Sequence, residues 1–136
     1  MRSTPRARAT LAAVFLVAAA AAAATVARAA SVLDFDVWMR AIDKHSVDVQ
    51  KNLTAGKPEA ATVDAQELAR LYGLMTDWFV ADGHSPDAVE MSRTGKAFAD
   101  AIAPAIAAKD YDAATKAAVE LSHACNDCHD VHKPFQ

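Results

Sequence analysis

Two cysteines and one histidine carry most of the chemistry legible in this chain. Cys125, Asn126, Asp127, Cys128 and His129 spell C-x-x-C-H seven residues before the end of the 136-residue sequence. That spacing suits covalent attachment of a c-type haem. The two thiols form thioethers to the vinyl groups, and the adjacent imidazole becomes the proximal iron ligand. Three other readings compete. A redox dithiol normally sits where a strand enters a helix, and no strand-like alternation occurs here. A zinc site built from Cys125, Cys128, His129 and His132 would crowd four ligands into eight consecutive residues, whereas structural zinc sites draw pairs from separated segments. Two cysteines that merely pack in a core are the third. The contiguous histidine and an export signal favour haem.

The sixth coordination position decides what such a haem can do. Met39 stands on an apolar stripe from which a thioether could reach the face of the iron opposite His129, although stripe position alone favours an ordinary core methionine over a ligand. Met75 and Met91 also lie on stripes and read as core residues. His45, on the flank of the first helix, is a weaker ligand candidate. His84 reads as a loop residue, His123 and His132 as surface imidazoles flanking the motif, and Trp38 and Trp78 as apolar packing.

The segment before residue 30 reads as a secretory leader. Arg2, Arg6 and Arg8 form a basic start, Leu11 to Ala27 an alanine-rich apolar stretch, and Ala27-Arg28-Ala29 a small-x-small cleavage pattern. An uncleaved anchor is the alternative. Removal of 29 of the 136 residues leaves 107, which suits one domain. With the four leader arginines gone, ten of the 14 basic residues face 17 acids, a formal charge of −7. Such a surface argues against nucleic acid or an anionic membrane as partner and favours basic or mixed-charge proteins.

The elements that must hold these residues read as four helices. The first is expected from about Leu33 to Leu53, with Phe35, Met39, Ile42, Ser46, Val49 and Leu53 along one stripe, a Ser31/Asp34 capping box and a stop at Gly56-Lys57-Pro58. The second is expected from Val63 to Val80, capped by Thr62, with Ala65, Leu68, Tyr72, Met75 and Phe79 inward. Ser85-Pro86-Asp87 opens the third, whose expected stripe is Ala88, Met91, Gly95, Phe98, Ile102 and Ala105, with Pro104 loosening its last turn. Asp110 caps the fourth, in which Tyr111, Ala114, Ala118, Leu121, Cys125 and Cys128 share the stripe. Short connections between amphipathic helices predict an all-α, antiparallel four-helix bundle with the motif's thiols facing the core of the fourth helix.

At this level the chain resembles the class II cytochrome c family, which contains cytochrome c′ and its low-spin, methionine-ligated relatives. The resemblance covers residues 30–136 and rests on C-x-x-C-H at the end of a fourth helix. The run Cys125-Asn126-Asp127-Cys128-His129-Asp130-Val131-His132-Lys133 is similar to the family's C-x-x-C-H-x-x-aromatic-basic ending. Ala97-Phe98-Ala99-Asp100 and Lys109-Asp110-Tyr111-Asp112 also resemble family segments. The match implies haem c on Cys125 and Cys128, proximal His129, and Lys133 in the basic position beside the haem. Met39-Arg40-Ala41-Ile42 resembles the stretch whose first residue faces the distal side, which implies Met39 as sixth ligand. It also implies a periplasmic single-electron carrier meeting redox partner proteins rather than an enzyme. The alternative is a five-coordinate haem protein taking nitric oxide or carbon monoxide. A peroxidase is the weakest option, since no distal acid–base pair can be placed. A homodimer through the first two helices is a further implication. Phe35 and Asp36 stand where the family often has Arg-Gln, His132 replaces the usual aromatic, and the connection between the second and third helices is shorter.

Overall fold

Apolar residues recurring at helical spacing between short glycine- and proline-containing breaks give four long helices. The computed structural model describes residues 30–132. They form α1 (Val32–Thr54), α2 (Pro58–Asp82), α3 (Pro86–Ala107) and α4 (Tyr111–Val131), with no strand among the described residues. The expected leader (1–29) and Lys133 lie outside them. No helix among the described residues is long and apolar enough to cross a membrane.

Each helix packs on its neighbour in sequence, and α4 returns to α1 to close the ring. The diagonals α1–α3 and α2–α4 make no close backbone approach, and the α1–α4 seam is the least closely packed. This is a four-helix bundle whose consecutive helices run antiparallel because only three residues join them. Its core holds Val49 from α1, Leu68 and Leu71 from α2, Ile102 from α3 and Leu121 from α4, all essentially inaccessible. Phe35, Trp78 and Phe79 stack at one end, with ring centroids 4.4 to 5.4 Å apart.

The ends of the helices follow local chemistry. Asp34 N–H donates to Ser31 Oγ and Ser31 N–H to Asp34 Oδ2, the expected capping box. Asp110 accepts from Ala113 N–H at 3.0 Å and caps α4. Three expectations about these ends need correction. The second helix starts at Pro58 rather than Val63, because proline fits the first helical position, where its missing N–H has no partner to lose. Thr62 therefore lies inside α2 and donates back to the Pro58 carbonyl at 2.9 Å instead of capping. Ser85 occupies the N-cap of α3 but its hydroxyl makes no cap bond, and α3 continues through Pro104 to Ala107.

The inward face of α3 also differs. Ala88, Ser92, Gly95, Ala99, Ile102 and Ile106 are buried, while Met91, Phe98 and Ala105 are half-buried. Small residues line the seam at Ser92, Gly95 and Ala99, and at Gly95 the Tyr72 ring of α2 lies against α3. On α4, Ala114, Ala118 and Leu121 are buried as expected, but Tyr111 is exposed at the first turn.

Candidate functional site

The C-terminal half of α4 supplies the motif. Helical spacing sets Cys125 and Cys128 on one face and turns His129 to the adjoining row. Both cysteines are free thiols and half-buried, whereas His129 is exposed. The His132 N–H donates to the Cys128 carbonyl at 2.7 Å and terminates the helix just past the motif.

Two adjoining cavities open beside this segment. The first, about 180 Å³, lies along the α1–α4 seam and is walled by Met39, Tyr72, Met75, Met91, Cys125 and Cys128, with His129 at its edge. The second, about 250 Å³, sits at the bundle end where α1 begins and α4 stops, between Phe35, Trp78, Phe79 and His132. Met39, Met75, Cys128 and His129 belong to both. Met39 is thus about two turns inside α1, against the same space as the motif. Met75 reaches the same space from α2, which its reading as an ordinary core residue had not suggested. Met91 lines only the first cavity.

The two thiols have unequal surroundings. Cys125 Sγ lies 3.1 Å from the Tyr72 hydroxyl, a contact that crosses the bundle from α2 to α4. Burial and the neighbouring Cys125 push the Tyr72 phenol far above its ordinary range, so it remains a neutral hydroxyl. The Cys128 thiol has no hydrogen-bond partner among the described residues. Its thiol too is pushed upward, by burial first and then by Cys125 and Asp87. Ser46, buried beside the first cavity, leaves its Oγ without a partner among the described residues.

The Tyr72 contact depends on Gly95. The phenol ring passes over α3 at this glycine, where any β-carbon would lie 2.3 Å from Cε1. Sequence reading placed both residues on apolar stripes without linking them. A glycine inside a helix weakens it by about 1 kcal/mol relative to alanine, and that cost is the signal that a close approach is required.

The histidines divide by location. His45 Nδ1 is 2.8 Å from Asp64 Oδ1, and Asn52 Nδ2 donates to the other oxygen at 2.8 Å, so His45 ties α1 to α2 away from both cavities. His84 and His123 are exposed. His132, expected as a surface imidazole, is half-buried, lines the second cavity and lies 2.7 Å from Asp87 Oδ2 on α3. Holding that carboxylate by a hydrogen bond from His132 lowers the Asp87 pKa.

These residues suit a haem bound through thioethers. Attachment needs two unbridged thiols on one wall of an apolar space and one imidazole beside them, and the donor set here comprises those groups, with the Met39 and Met75 thioethers lining the same space. Among the described residues no group of three or more His, Cys, Asp or Glu side chains is placed to hold a metal ion.

No family model, no curated protein and no solved structure matches the chain.

Proposed function

We propose that this protein is an exported c-type cytochrome resembling the class II cytochromes c, which carries single electrons through one haem c held by Cys125 and Cys128. The observation that carries this reading is a C-x-x-C-H segment whose two free thiols line one cavity with Met39. When bound, the haem supplies a one-electron ferric–ferrous couple.

The chain's own residues do the rest. His129 would hold the iron through its imidazole and Met39 through its thioether. Held by both, the haem would pass single electrons without taking a substrate, and the protein would carry charge rather than catalyse a reaction. Histidine–methionine ligation and an apolar wall built from Phe35, Met75, Trp78 and Phe79 both favour a raised potential. The acidic surface left after leader removal steers basic or mixed-charge redox proteins, whose encounters are small and short-lived. Lys133 provides the one basic group expected next to the haem.

Secretion of the full chain from a host competent in c-type cytochrome assembly tests this. The expected product is coloured, has the mass of polypeptide plus one haem, and when oxidised shows a low-spin spectrum with the near-infrared band of a thioether–iron bond. A colourless protein with bare polypeptide mass removes the haem. A high-spin spectrum that responds to carbon monoxide removes Met39 from the iron and supports the five-coordinate, gas-binding alternative.

A further inference from the structure

The two sulfurs of the motif differ in one respect that haem attachment makes consequential. Cys125 Sγ faces the Tyr72 hydroxyl at 3.1 Å, and with a free thiol either group can donate. A thioether sulfur has no hydrogen, so after attachment only the phenol can donate. The phenol has little freedom to turn elsewhere. Its ring is 4 % exposed and rests on α3 at Gly95, and it has no other hydrogen-bond partner among the described residues. Cys128 faces no such donor.

We propose that in the haem-loaded protein Tyr72 is a positioning residue that donates a hydrogen bond to the Cys125 thioether sulfur and raises the reduction potential through it. The inference rests on the haem reading above. Its direction follows from electrostatics. A donated O–H places partial positive charge beside a sulfur bonded to the macrocycle edge. That charge disfavours the oxidised state, which carries one more positive charge than the reduced state. The phenol is buried, so its dipole is less screened than it would be at the surface. The Gly95 notch contributes by keeping the ring on this path across the bundle.

The test uses the full chain loaded with haem in an assembly-competent host. Tyr72→Phe keeps the ring and removes only the hydroxyl. The variant is expected to carry haem at both cysteines, by mass and by the pyridine haemochrome band that distinguishes two thioethers from one. Its axial-ligand spectrum should match the native protein. Its potential should fall, corresponding to a roughly two- to fivefold shift of the redox equilibrium toward the oxidised form, the size of one modest hydrogen bond. A resonance Raman carbon–sulfur band that moves on transfer to deuterium oxide in the native protein, and not in the variant, identifies the bond itself. That native measurement stands even if the variant folds poorly. Equal potentials in both proteins, or a carbon–sulfur band insensitive to deuterium in the native one, would overturn the proposal and leave the haem reading intact. A colourless native protein would instead remove the haem reading, and this proposal with it.

Discussion

A β-carbon on Gly95 would lie 2.3 Å from Cε1 of Tyr72 and 2.7 Å from its Cζ, so the phenol ring of α2 occupies space that a side chain on α3 would need. The ring is buried between the helices, and the Thr76 hydroxyl donates to the Tyr72 carbonyl at 2.7 Å behind it. Gly95→Ala must push the ring or the α2–α3 seam apart. Its better helix propensity recovers less than this overpacking costs, and a net loss of about 1–2 kcal/mol is expected. Urea denaturation followed by far-ultraviolet circular dichroism should show a lower midpoint with an unchanged slope.

Met39 and Met75 reach the same space beside His129 from different helices, and they should answer differently to the same substitution. Met39→Leu is expected to abolish the thioether–iron band and turn the oxidised protein high-spin. Met75→Leu should leave the spectrum intact and cost less than about 1.5 kcal/mol, as a volume-conserving change in a packed site. If Met75→Leu alone removed the band, the sixth ligand would come from α2.

The Asp87–His132 contact fastens the end of α4 to the start of α3. The hydrogen bond from His132 lowers the Asp87 pKa in the folded protein, with the helix-terminal N–H groups helping. A lowered folded pKa stabilises above the unfolded carboxylate range, and the contribution disappears as pH falls through the folded value. Asp87→Asn should therefore lower the denaturation midpoint near neutral pH, and its midpoint should converge with that of the native protein in acid. A constant gap across the acid range would show that charge on Asp87 is not what matters.

Lys109 adopts φ 59°, the left-handed conformation seen at Gly56 (φ 64°). Both residues follow a helix and begin the same termination: Asp110 N–H returns to Ala105 O at 2.9 Å, as Lys57 N–H returns to Asn52 O at 2.8 Å. Only one of the two is glycine. Lys109→Gly relieves the β-carbon penalty at the end of α3, and after the added entropy of the unfolded chain a gain of about 0.5–1 kcal/mol is expected. A raised urea midpoint checks it.

What could be read from the chain by itself was whatever depends on neighbours in sequence. Helix periodicity, the Ser31/Asp34 box, the Asp110 cap and the stop after Thr54 are set by residues within a turn or two of one another, so the four-helix architecture was legible. The C-x-x-C-H spacing is likewise contiguous. The boundary at Pro58 was misplaced because Thr62 and Pro58 both fit a helix start locally, and proline at the first position extended the helix.

Relations between helices depend on rotation and register, which no local pattern encodes. The α3 seam runs through Ser92, Ala99 and Ile106 rather than Met91, Phe98 and Ala105 because the rotation of α3 against its neighbours, set by packing across the bundle, buries that row. Only the tertiary structure brings Met75 to the cavity shared by Met39 and His129, joins His132 to Asp87, and carries Tyr72 across Gly95 to Cys125. Each of these pairs is separated by at least 23 residues, and a separation of that size is closed by packing of the core rather than by anything in the intervening chain.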